Sequence, residues 1–118
     1  MRSALGAVGD GLDGVGAVDL AGLHVDDLAS SAVALQRLAD RVQVALARVL
    51  AEADRAAVWQ GSGSKNAAGW LAGATQSDYR ASMDALKLGD TLDQNASLAA
   101  KVDAGEISAA TAIALHPV

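Results

Sequence analysis

The chain has 118 residues and a formal net charge of −5, which leaves room for one compact domain and not two. It contains no cysteine, so disulfides and thiolate metal sites are excluded, and its two histidines, His24 and His116, stand too far apart in sequence to suggest a zinc site. The acidic balance counts against nucleic-acid binding unless the basic residues cluster, because affinity for phosphate comes from basic groups.

Apolar residues make up 52% of the chain, but alanine dominates them, phenylalanine is absent, and Trp59, Trp70 and Tyr79 are the only aromatics. Small side chains bury little area each, so thin, closely spaced helix packing is expected. No run approaches the ~18 consecutive apolar residues of a membrane-spanning helix. The opening, MRSALGAVGDGLDGVGAVDL, is interrupted by Asp10, Asp13 and Asp19 and lacks the unbroken apolar centre of a signal peptide. A cytoplasmic chain with no membrane partner is expected.

Residues 1–23 carry six glycines, Gly6, Gly9, Gly11, Gly14, Gly16 and Gly22, each costing a helix about 1 kcal/mol relative to alanine. Leu5, Val8, Leu12, Val15 and Ala17 nevertheless fall near helical spacing, so this segment reads as a weak helix or frayed arm. A glycine-rich phosphate loop does not fit: GDGLDGVG has no following Lys-Ser/Thr and no preceding strand, and it sets two aspartates where a phosphate would sit.

Residues 25–59 form the strongest element. His24 or Asp26 can start a helix, and Asp26 and Asp27 suit its first turn. Leu28, Leu35, Val42 and Val49 then recur every seventh residue, and Ala32, Ala39, Leu46 and Ala53 lie four positions after each. Together they make one apolar stripe on a rod about 50 Å long. Such a rod exceeds what a small domain needs, so part of it is expected to pack on another chain as a coiled coil. Beside the stripe run Arg41, Arg48 and Arg55, with Arg37 one turn before Arg41. They read as a basic ridge for a nucleic-acid backbone or as a solvated flank, with Glu52 near Arg48 and Asp40 near Arg37; the second is the usual role of such charges.

QGSGS, residues 60–64, breaks the rod, and Ser64 can cap a short helix over 65–73 that Gly73 ends. Thr75 or Ser77 caps the next, with Asp78 in its first turn and Tyr79, Met83 and Leu86 on its buried side, to about Leu92. Asp93 or Asn95 caps a fifth helix carrying Leu98, Ala99 and Val102, which ends at Gly105. Ser108 caps a sixth, and Pro117 cuts it. No segment alternates like a strand. The expected fold is therefore all-α: one long helix packed with four or five short ones, including a helix-turn-helix-like pair at 64–92. Residues 1–23 are an arm, and 24–118 are a helical domain expected to be incomplete at its carboxy-terminal end.

A catalytic set is not legible. The carboxylate pairs Asp26/Asp27, Glu52/Asp54 and Asp90/Asp93 read as first-turn, surface or capping groups rather than an acid–base pair in a cleft. Ser30, Ser31, Ser62, Ser64 and Ser108 lack a Gly-x-Ser-x-Gly context, and His116 beside Pro117 is expected at the surface. No cofactor, metal or small-molecule ligand is expected.

The order of these pieces carries a resemblance. A long Ala/Leu/Arg helix precedes Ser64, Ala67, Ala68, Trp70, Leu71 and Ala72. Leu98 and Ala99 follow, and then Gly105, Glu106, Ile107, Ser108 and Ala112. Over most of residues 20–115 this resembles the amino-terminal domain of the actinobacterial, and especially mycobacterial, 13E12 repeat family (domain of unknown function 222). In that family the helical domain is commonly followed by an HNH nuclease domain. Here the chain stops soon after the Gly-Glu-Ile-Ser block, has no His-rich nuclease motif and no cysteine pairs, and shows Asp93-Gln94-Asn95 where the family usually has a proline. The resemblance therefore implies a front module or truncated copy, without nuclease activity of its own, whose partners are a second copy, a downstream helical or nuclease chain, or DNA.

A looser similarity, to the helix-turn-helix region of the ParB partition-protein family, covers WLAGATQSDYRASMDALKL and the Gly-Glu-Ile-Ser block. It implies Gly73 as the turn glycine and 77–88 as a reading helix, although the spacing departs from the usual one by about a residue. Lys65, Gln76, Ser77, Arg80 and Lys87 would then face DNA, since such side chains contact base edges or phosphates. Asp78 and Asp84 on the same helix oppose that role, and packing of Trp70, Tyr79 and Met83 is the simpler expectation. The function expected overall is a non-catalytic helical interaction module. The alternatives are a sequence-specific DNA binder and a fragment of an HNH endonuclease lacking its catalytic domain.

Overall fold

A computed structural model of the chain describes residues 1–114; His116, expected at the surface, lies outside them. In chain order the elements are α1 (Arg2–Gly16), a 3-10 turn (Leu20–Gly22), α2 (Val25–Arg55), α3 (Ala67–Thr75), α4 (Tyr79–Gln94), α5 (Ala96–Asp103) and α6 (Ala109–Ala114). No strand occurs among the described residues, and the fold is all-α, as expected. The chain divides into two compact units, Met1–Leu35 and Gln36–Val118.

The first unit holds α1, the 3-10 turn and the start of α2. The glycine-rich arm is a helix over 15 residues, with no side-chain cap and no buried residue. The start of α2 follows the sequence signals: the Asp26 N–H donates to His24 Nδ1 at 3.1 Å, and Asp26 and Asp27 occupy the first turn.

The second unit has a core in two parts. Val44 and Ala47 of α2 pack with Leu88 and Leu92 of α4, Leu98 and Val102 of α5, and Ala109 and Ala112 of α6. Leu50 and Ala51 of α2 pack with Ala67, Ala68 and Leu86, and Trp59, Leu71 and Met83 close over them. Among the described residues, seven of the fourteen buried apolar side chains are alanines, which is why the helices lie so close. The tightest approach is at Gly89, where a Cβ would stand 2.1 Å from the Ala47 carbonyl oxygen.

α2 ends at Arg55, four residues earlier than the expected end at Trp59. Ala57 takes a left-handed conformation, φ 56°. Its N–H donates to the Asp54 carbonyl at 3.0 Å, and the Val58 N–H donates to the Ala53 carbonyl at 3.2 Å. This pair of bonds is a Schellman closure built on alanine instead of glycine. Trp59 Nε1 donates to the same Asp54 carbonyl at 3.2 Å, so the indole turns back over the helix end. Ala57→Gly is expected to stabilise the chain by about 0.5–1 kcal/mol, because glycine adopts this conformation without the Cβ penalty; a higher urea midpoint with an unchanged slope would show it.

The other boundaries shift for similar reasons. Asn66, not Ser64, caps α3, accepting from the Gly69 N–H at 2.8 Å, while Asp54 Oδ1 accepts from the Ala67 N–H at 2.8 Å. α3 runs through Gly73 to Thr75 and stops at Gln76, φ 54°. Asp78, not Thr75 or Ser77, caps α4 through the Arg80 N–H at 3.0 Å. Asn95 caps α5 through the Leu98 N–H, Gly105 ends that segment with φ 78°, and Ser108 accepts from the Thr111 N–H. Asp40 of α2 adds a second anchor for α6, accepting from the Ala109 N–H at 2.7 Å.

Candidate functional site

α2 has two apolar faces, and the core uses only one. In the second unit Val44, Ala47, Leu50 and Ala51 are buried. The regular heptad stripe lies about a third of a turn away round the helix. There Val42 is 53% exposed, Leu46 40% and Val49 49%, with Leu38 beside them at 48%. The second unit does not itself cover this stripe, although Ala53 at its end is half-buried against the second core part. All the charges of residues 36–50, Arg37, Asp40, Arg41 and Arg48, fall on the other side of the helix. Leu38, Ala39, Val42, Ala45, Leu46 and Val49 therefore form an uncharged, exposed face.

In the first unit, Leu5, Val8, Leu12 and Val15 of α1 are likewise exposed, at 61, 50, 55 and 45%, as are Leu28 and Leu35 at the start of α2. Five glycines within α1 weaken it as a free helix by about 1 kcal/mol each. A helix this short is marginal in water even for alanine-rich sequences, so α1 needs cover along its apolar side to persist.

The basic ridge is half absorbed into the fold. Arg48 makes a bidentate pair with Asp103, at 2.9 and 3.1 Å; this bond raises the guanidinium pKa and holds the Asp103 carboxyl below its usual range. Arg55 binds Glu52 and, at 2.8 Å, Asp93, which raises its pKa further above normal. Arg37 and Arg41 make no ion pair among the described residues.

The five residues singled out for DNA contact are all exposed but do not share one helix. Lys65 lies in the loop before α3. Gln76 and Ser77 sit in the turn between α3 and α4, because the helix begins at Tyr79, and the Ser77 hydroxyl is 2.6 Å from that of Thr75. Only Arg80 and Lys87 lie on α4, seven residues apart, with half-buried Asp84 between them on the same side. Ser82, Leu86, Leu88, Gly89, Thr91 and Leu92 bury most of the way round this helix, leaving a narrow outward strip. Tyr79, expected to pack, is 51% exposed, because it is the first residue of α4 and precedes the buried turns.

A shallow apolar hollow of about 430 Å³, open to solvent, lies among α2, α3, α4 and α6. Leu46, Leu71, Ala85, Leu88 and Ile113 line it, with Asp84 at its edge. No periodicity in the sequence signals it, because its walls come from four separate helices.

Among the described residues no group of acidic, histidine or cysteine side chains could hold a metal ion, and no helix is long and apolar enough to cross a membrane. Compared with protein-family models, curated proteins and solved structures, the chain matches none.

Proposed function

We propose that the chain is a non-catalytic helical interaction module of the kind found at the front of 13E12 repeat proteins, and that it works by association through the uncharged face of α2. The observation that carries this reading is the row Leu38, Val42, Leu46 and Val49, half-exposed on a helix whose other apolar face already serves the core. A contiguous apolar face without charge is costly to leave in water and marks an interaction site. The kinship is supported by the order of a long helix, a Trp-Leu-Ala helix and a Gly-Glu-Ile-Ser turn. A cytoplasmic location is part of this reading, and no described helix is long and apolar enough to cross a membrane. A DNA-reading role has less support, because Asp84 interrupts Arg80 and Lys87, and Arg48 and Arg55 are bound to carboxylates of the chain itself.

Sedimentation equilibrium of the full chain across the micromolar range tests the reading. Self-association is expected, and the double variant Val42→Asp with Leu46→Asp should abolish it while leaving the urea midpoint of the dilute protein nearly unchanged. A chain that stays monomeric at every concentration would overturn the proposal.

A further inference from the structure

The geometry points to a specific occupant of the α2 face: helix α1 of a second copy, docked reciprocally so that two chains form a twofold dimer. This rests on the association reading above and names its partner. The exposed apolar residues of α1, Leu5, Val8, Leu12 and Val15, are spaced three, four and three apart. Ala39, Val42, Leu46 and Val49 on α2 are spaced identically. Both rows are spaced as coiled-coil seams two heptads long, and each is exposed within its own unit. The 3-4-3 spacing reads the same in either direction, so the seams mesh whichever way the helices run.

The positions flanking the α1 seam are Ala4, Gly9, Gly11 and Gly16. A Cβ at any of these three glycines would meet nothing in the chain, so intrachain packing does not require them. Beside a seam, such glycines allow a second helix backbone to approach closely, as Gly89 of α4 does against Ala47 of α2.

Area decides the symmetry. At roughly 90 Å² for each half-exposed leucine or valine, a single α1–α2 contact covers about 700 Å² over both helices, under the ~1,000 Å² of a specific interface. The reciprocal pair covers about 1,400 Å², within the standard range of ~1,200–2,000 Å². One contact alone is insufficient, and two related by a twofold axis suffice.

The test uses the full chain with Leu12→Asp on α1 or Leu46→Asp on α2, each compared with the parent by sedimentation equilibrium. Both variants are expected to weaken the dimer at least tenfold. If Leu46→Asp dissociates the dimer and Leu12→Asp does not, α1 is not the occupant, and the association reading survives alone. If Leu12→Asp acts and Leu46→Asp does not, α1 docks elsewhere and the inference fails. If neither acts, or the parent is monomeric, both readings fall. Because Leu12→Asp also perturbs α1 itself, a second measurement uses the absence of native cysteine. Leu12→Cys chains, mixed and oxidised with Leu46→Cys chains (opposite Leu12 if the helices run parallel) or with Val42→Cys chains (opposite it if they run antiparallel), should cross-link in one of the two mixtures, whereas cross-linking only within the α2-cysteine populations would overturn the assignment.

Discussion

Gly89→Ala is expected to destabilise the chain by about 3 kcal/mol or more, as an overpacked core site whose obstacle is rigid. Helix propensity alone predicts the opposite sign, since alanine in place of an interior helical glycine gains about 1 kcal/mol. The clash outweighs that gain. The new Cβ would lie 2.1 Å from the Ala47 carbonyl oxygen, 2.8 Å from Ala51 Cβ and 2.9 Å from the Ala47 carbonyl carbon. Two of these three atoms are backbone, so no rotamer change relieves the contact and α4 must move away from α2. That movement would open the packing of Leu88 and Leu92 against Val44 and Ala47. Gly73→Ala is the matched control: Gly73 is helical, and a Cβ there meets nothing within 4 Å, so this change should raise stability by up to about 1 kcal/mol. Urea titration of both variants measures the contrast. A stabilised Gly89→Ala protein would mean that α4 does not rest on the α2 backbone.

The same residues show what the sequence makes legible. Where a boundary is set by side-chain chemistry with a strong preference, it can be read: His24 with Asp26 and Asp27 at the start of α2, Asn95 before α5, Gly105 after it, Ser108 before α6. Where a residue without that preference takes the left-handed position, it cannot. Ala57 and Gln76 end α2 and α3 in conformations that glycine or asparagine would have announced, and the true glycines at 61 and 73 drew the expected ends away from them. The apolar stripe of α2 was visible residue by residue, and the length of the rod suggested that part of it packs on another chain, but which face the core would take was not legible. Periodicity measures regularity, and the most regular face of α2 is the bare one. The core selected the face with Ala47 and Ala51, since only small side chains there let Gly89 approach. That choice depends on a partner helix some forty residues away, and no window on α2 contains it. The basic ridge was visible too, whereas two of its three carboxylate partners, Asp93 and Asp103, come from α4 and α5.

The division between the two faces of α2 yields the second large effect. Leu50→Ala is expected to cost about 3 kcal/mol, within the range for a buried leucine whose surroundings only partly collapse. Leu50 is 2% exposed and packs with Ala51, Ala67, Ala68 and Leu86, and alanines around it have no side-chain length with which to fill the space. Its neighbour Val49 is 49% exposed. Val49→Ala in dilute protein therefore removes little buried area and gains helix propensity, because valine loses side-chain freedom in a helix that alanine does not have to lose. Its midpoint should stay level or rise slightly. Urea titration at concentrations too low for association separates the two, and the same pair at high concentration should reverse in importance: Val49→Ala then weakens assembly, and Leu50→Ala acts only through folding. Equal losses at both positions in dilute protein would mean that the heptad face is covered by the chain itself, and the basis for association through α2 would disappear.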